Sequence, residues 1–72
     1  MRNEHYLLIS EWHRIYFVNI YTIACSTHEP EKASRITSKV FEGLADIPYE
    51  ILAAHKGNNP LPFLVSRINN AN

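Results

Sequence analysis

The pattern of hydrophobic and polar positions gives the chain a strand-like first third. Residues 6–12 form a short run rich in branched and aromatic side chains, which is typical of a strand. Residues 15–25 contain three isoleucines, a valine and three aromatic residues, all of which favour a pleated surface. The link at His13 and Arg14 lacks the Gly or Asn of a tight two-residue turn, so we expect a bulge or a longer turn there. The pattern therefore predicts an N-terminal hairpin over residues 6–25.

The second predicted strand has no cleanly polar face. At the strand period of two, Phe17 and Tyr21 share one face while Tyr16, Val18 and Ile20 share the other. An uncovered aromatic face resembles the composition of protein interfaces. We therefore predict a protein partner, and a homodimer, for a surface made by six side chains: Trp12, Tyr16, Phe17, Val18, Ile20 and Tyr21. The alternative is that residues 61–68 fold back over the open face and leave a monomer.

The middle of the chain has the pattern of an amphipathic helix over residues 29–45. Ser26 and Glu29 have the spacing of a capping box, and Pro30 is tolerated in a first helical turn. Apolar residues then follow at intervals of three and four: Ala33, Ile36, Val40 and Leu44. This helix is expected to cover one face of the predicted sheet.

The last third contains one short element and a tail. Asp46 is a candidate cap and Gly57 a candidate helix end, which favours a short helix over residues 47–56, with a strand as the alternative. Residues 57–72 are predicted as a loop and tail, with a last strand or docked turn at 63–68 and fraying at 69–72. Together the elements predict an α+β fold. In it a small antiparallel sheet, led by the hairpin, packs against one amphipathic helix.

Length, charge and cysteine content narrow the possible classes of protein. The chain has 72 residues, which is the size of one small domain. Seven basic residues balance seven acidic ones, and no stretch concentrates Lys and Arg, which argues against tight binding to nucleic acid or to an anionic membrane surface. The apolar runs are too short for a secretory signal or a membrane span. With a single cysteine, this predicts a reducing cytoplasm.

The candidate chemistry is sparse. Cys25 precedes a predicted helix start and lies three residues before His28, an arrangement that could favour a thiolate. Packing as a small apolar side chain is the expected role of Cys25, and the Cys-x-x-His pair lacks the second pair that a structural zinc site needs. Only two glycines are present, so no phosphate-binding loop is possible. We predict no catalytic residue, no metal and no cofactor.

Residues 29–60 loosely resemble the helix-turn-helix core of Cro/repressor-type regulators. A helix, a tight joint near Asp46, a short second helix and a Gly57-x-x-Pro60 turn follow in the order seen in that family. The resemblance implies DNA binding by the second helix. The chain departs from the family in having Ala45 where the turn usually has Gly. It also offers Tyr49, Glu50 and Ala53 in place of base-reading side chains.

The function predicted from these observations is a small non-enzymatic module that binds and modulates a partner protein. Small neutral chains of this kind occur among bacterial and phage accessory proteins, which is an association only. The alternative is a small DNA-binding transcriptional regulator that uses the helix pair of residues 29–56.

Overall fold

A computed structural model describes residues 2–71 as four α-helices. Helix α1 spans Asn3–Ala24, α2 spans Pro30–Gly43, α3 spans Tyr49–Lys56 and α4 spans Leu61–Ala71. A 3₁₀ turn, Leu44–Asp46, follows α2 directly. No strand occurs among residues 2–71, so the fold is all-α and the predicted α+β fold with its antiparallel sheet is wrong.

Helix α1 replaces the predicted hairpin over residues 6–25. No Gly or Pro lies between residues 3 and 24, so nothing forces a turn at His13 and Arg14. Leu8, Trp12 and Ile20 are separated by multiples of four residues, and all three are buried on one side of α1. The β-branched and aromatic residues that suggested strands therefore fold as a helix because tertiary packing outweighs their intrinsic preference.

Helix α2 and the 3₁₀ turn cover the predicted helix of residues 29–45. Pro30 lies in the first turn as expected, and Glu29 is the N-cap residue without a side-chain capping bond. The predicted capping box does not form, because the Ser26 hydroxyl donates to the Ile23 carbonyl oxygen at 2.6 Å. Ser26 therefore closes the end of α1 instead of opening α2.

Helix α3, Tyr49–Lys56, confirms the predicted short helix in residues 47–56 and rules out the strand alternative. It is flanked by Pro48 at its start and Gly57 at its end, so the predicted cap at Asp46 is wrong. Leu52 is its one buried side chain, with no exposed surface. The His55 ring stacks on Phe63 of α4 with the centroids 4.2 Å apart. The short helix is thus attached through few side chains.

Helix α4 occupies most of the predicted tail. A loop of residues 57–60 precedes α4. Within it, the side-chain oxygen of Asn59 accepts a hydrogen bond from the Leu61 backbone N–H at 3.2 Å. Leu64 and Ile68 are both buried. They lie four residues apart, which is the spacing of side chains on the inward face of a helix. The predicted strand or turn at 63–68 and the frayed end at 69–71 are therefore wrong, and Asn72 lies outside the described residues.

The core lies between α1, α2 and α4. Ten apolar side chains form it: Leu8, Trp12, Ile20, Ile36, Val40, Phe41, Leu44, Leu52, Leu64 and Ile68. A buried hydrogen bond of 3.2 Å joins Nε2 of His5 to the Leu44 carbonyl oxygen, which ties the start of α1 to the 3₁₀ turn. At 1.5 Å per residue α1 is about 33 Å long. It therefore matches the 34 Å longest dimension of the molecule.

Candidate protein-binding surfaces

Six side chains are predicted to bind a partner, and all of them lie on α1: Trp12, Tyr16, Phe17, Val18, Ile20 and Tyr21. They do not share one surface. Trp12 and Ile20 belong to the core, with exposed fractions of 2% and 0%. Val18 lies on the outer side with 71% exposed, and the other three are half-buried. The surfaces open to a partner are therefore formed by different combinations of residues.

An apolar groove runs between α1 and α2, and we name it the α1–α2 groove. Its volume is about 430 Å³. It is lined by Tyr6, Ile9, Ser10, His13, Ser38, Phe41, Glu42 and Ala45. The volume falls within the usual range of ligand pockets, about 300–1,000 Å³. It is large enough to accept a bulky apolar side chain from another molecule.

Three rings stiffen one end of the α1–α2 groove. The centroid of the His13 ring lies 4.8 Å from that of Phe17 and 5.2 Å from that of Phe41. The Phe17 and Phe41 rings are stacked at 6.0 Å. Phe41 is 3% exposed and cannot turn outwards without opening the core. The groove is therefore pre-formed by packing, which lowers the ordering cost of binding.

The rim of the α1–α2 groove is polar and carries one charge. Ser10 and Ser38 lie on facing helices, Glu42 supplies a carboxylate, and no Lys or Arg lines the groove. Tyr6 stands at the edge with 57% of its surface exposed. An apolar centre with a polar rim and an exposed tyrosine is the arrangement typical of a protein interface. The carboxylate favours a partner with a basic side chain at that point.

A second surface is basic and lies between α2 and α4. Four of the seven Lys and Arg residues line two adjoining depressions of about 340 and 140 Å³ there: Lys32, Arg35, Lys39 and Arg67. None of these four forms an ion pair within residues 2–71, and no carboxylate lines either depression. We name this surface the α2–α4 basic side. It gives the neutral chain a locally positive face that can attract an anionic ligand.

Cys25 lies at the C-terminal end of α1, where its backbone N–H donates to the Tyr21 carbonyl oxygen at 2.9 Å. It lines a depression of about 480 Å³ together with residues 26–29 and Lys32, so the first turn of α2 borders the same space. The hydrogen bond with Cys25 raises the pKa of the Tyr21 phenol above its usual 10.0, and the negative charge of the Cys25 thiolate and desolvation act in the same direction. Within the described chain no three His, Cys, Asp or Glu side chains could hold a metal ion together.

The side chains predicted for a helix-turn-helix recognition helix are partly engaged within the chain. The Arg2 guanidinium lies 5.4 Å from the ring centroid of Tyr49 and 3.3 Å from a carboxylate oxygen of Glu50. Ala53 is half-buried, and Lys56 is the one Lys or Arg on α3. Base readout in the major groove uses Arg, Lys, Asn or Gln, so α3 offers little for it.

Comparisons of the chain with protein-family models, with curated proteins and with solved structures give no match. None of the helices in residues 2–71 has both the length and the apolar character needed to cross a bilayer. The surfaces described above are therefore the basis for assigning a function.

Proposed function

We propose that this protein is a small, non-enzymatic helical module that binds a partner protein in the α1–α2 groove. The observation that carries the proposal is a pre-formed apolar groove of about 430 Å³ with a polar, acidic rim on a chain of only 72 residues. Concave, mostly apolar pockets with a few polar groups at the edge are the usual form of a binding site. No cofactor is needed for this role, and the single cysteine favours a reducing compartment such as the cytoplasm.

The groove favours a particular chemistry in the partner. It lies between two helices, a setting that commonly accepts an amphipathic helix through apolar anchors. The half-buried Ile9 side chain offers an apolar contact above the buried Phe41 ring, and Tyr6 at the edge has two rotatable side-chain bonds with which to close on the anchor. Glu42 at the rim would pair with a Lys or Arg of the partner. The expected partner segment is thus an amphipathic helix with one bulky apolar residue beside a basic one.

The proposal predicts that Ala45→Arg weakens partner binding without unfolding the chain. Ala45 is exposed at the edge of the groove, so a long cationic side chain there fills the site while leaving the core intact. Ala54→Arg is the matched control. Ala54 is also an exposed alanine, but it lies on α3, outside the groove. Affinity capture from host lysate with the native chain and both variants, followed by mass spectrometry, identifies the partner. Calorimetry with the purified partner then measures the loss, expected to be at least about tenfold in Kd.

Two outcomes would contradict this proposal. One is a captured partner that binds the native chain and Ala45→Arg with the same Kd. The other is a partner whose binding is lost equally in Ala45→Arg and Ala54→Arg. Circular dichroism of both variants establishes that they are folded before binding is measured.

A second candidate function is binding of nucleic acid, and the α2–α4 basic side is the surface that would contact it. Because four cations release few counterions, we expect this binding to be weak: duplex DNA should bind no more tightly than about 1 µM at roughly 150 mM salt. Fluorescence anisotropy with a labelled duplex measures this. Sub-micromolar binding would favour the second candidate. If Lys39→Glu then weakened it, the α2–α4 basic side would be the site, whereas an effect of Lys56→Glu would point to α3.

A further inference from the structure

The outer side of α1 carries a largely exposed stripe. Helix α3 borders one end of it, where Leu7 and Glu11 line a depression of about 210 Å³ together with Tyr49 and Lys56. The stripe consists of five residues within about a third of the helix circumference: Leu7, Glu11, Arg14, Ile15 and Val18. Leu7, Ile15 and Val18 have exposed fractions of 56%, 48% and 71%. Glu11 and Arg14 are also exposed and form no ion pair within residues 2–71. We name this surface the α1 outer stripe.

The spacing of the α1 outer stripe is that of a helix that packs lengthwise against another helix. Leu7, Glu11, Arg14 and Val18 are separated by four, three and four residues, which is the alternation of core positions in a coiled coil. The apolar residues lie at the two ends of this set, and the two opposite charges lie in the middle. This arrangement is symmetrical about a point between residues 12 and 13.

We propose that the α1 outer stripe binds the same stripe of a second copy of this chain, with the two α1 helices antiparallel. A two-fold axis between residues 12 and 13 places Leu7 of each copy against Val18 of the other. The same axis places Glu11 of each copy against Arg14 of the other, so both central charges are paired. These four contacts are complementary, and the same axis places Ile15 of each copy against Ser10 of the other at the edge of the stripe.

The charges also exclude the parallel arrangement. In a parallel pair in register, Glu11 would face Glu11 and Arg14 would face Arg14, and like charges at such positions oppose association. The sequence of the stripe therefore favours one orientation of the second copy. Of the parallel and antiparallel pairs, only the antiparallel pair satisfies both the apolar and the charged positions.

The dimer leaves the centre of the α1–α2 groove free. At 100° per residue, Ile9 and His13 of the groove lie about 140–180° around α1 from Val18. Ser10 at the groove rim lies about 40° from Arg14, so the groove and the stripe meet at that edge. This proposal rests on the stripe and does not depend on the groove. Because three apolar side chains per copy make a small contact, we expect a weak dimer with a Kd of about 10–100 µM.

Charge reversal at the stripe provides the test, because exposed substitutions leave the core untouched. Sedimentation equilibrium of the full chain is expected to show association at tens to hundreds of micromolar. Glu11→Arg would place two cations against each other twice in the dimer, and Arg14→Glu would do the same with two carboxylates. Each variant alone is therefore expected to stay at 8.3 kDa. An equimolar mixture is expected to associate at least as tightly as the native chain, since both contacts then pair opposite charges.

Glu31→Arg is the matched control, since it reverses an exposed charge on α2 away from the stripe and should leave the native Kd within about threefold. A native chain that remains a single 8.3 kDa species up to about 500 µM would overturn the proposal. So would dimers that persist in the Glu11→Arg variant. Two monomeric variants that fail to associate when mixed would refute the antiparallel register.

Discussion

Replacing Ile20 by alanine is expected to lower the free energy of unfolding by about 2–5 kcal/mol. Ile20 has no exposed surface and lies in the core beside α2 and α4, so its truncation leaves a cavity. A domain of this size has a total stability of about 4–11 kcal/mol. The substitution therefore removes a large part of the stability, which urea unfolding followed by circular dichroism would measure.

Val18→Ala is the control for Ile20→Ala, and it distinguishes a helix from a strand. Val18 and Ile20 are two residues apart, so a strand would place them on the same face, whereas α1 places Val18 at 71% and Ile20 at 0% exposure. Val18→Ala is expected to change the free energy of unfolding by less than about 0.5 kcal/mol in dilute solution. Equal losses in the two variants would mean that this segment does not fold as α1.

The Leu52→Ala variant should release α3 and cost about 2–5 kcal/mol. Leu52 is the one buried side chain of this eight-residue helix, and a helix this short is not stable without packing. Hydrogen exchange is the sharper measurement, because the amides of α3 should lose protection while those of α1 keep most of theirs.

Ile51→Ala provides the control for α3. Ile51 is the neighbouring residue and is 48% exposed, so its truncation should leave exchange in α3 nearly unchanged. If Leu52→Ala and Ile51→Ala had the same effect on exchange and on unfolding, the placement of α3 against the core would be wrong.

The elements that the sequence predicted correctly are those whose local signals agree with their packing. In α2, the apolar spacing of Ile36 and Val40 and the position of Pro30 all indicate a helix that starts near residue 30. In α3, Gly57 marks the end. Boundaries and periodicity are local properties, so no knowledge of the tertiary structure was needed for either.

Helix α1 was missed because its local preference and its tertiary environment disagree. Its β-branched and aromatic residues have an intrinsic preference for a strand, whereas the spacing of its buried residues is that of a helix. Two features of the sequence favour a helix. Leu8, Trp12 and Ile20 repeat at multiples of four, and both faces of the supposed strand are apolar, which a period of two does not explain.

The candidate surfaces could not be predicted from the sequence, because they form only when α1 and α4 fold as helices. The α1–α2 groove combines Tyr6 and His13 with Phe41, which are brought together only when α1 packs along α2. The α2–α4 basic side joins Lys39 to Arg67, which are far apart in the sequence. Neither combination is visible in a linear count of charges or aromatic residues, since α4 itself was predicted as a tail.

The composition of α1 has a consequence for the chain when it is not folded. Residues 15–25 contain no charge, no Pro and no Gly, and they are rich in residues that favour β-structure. Segments of this kind, once exposed, are prone to form stacked intermolecular sheets. In the native chain the backbone N–H groups of α1 are held in helical hydrogen bonds. We therefore expect aggregation to begin from states in which α1 has opened.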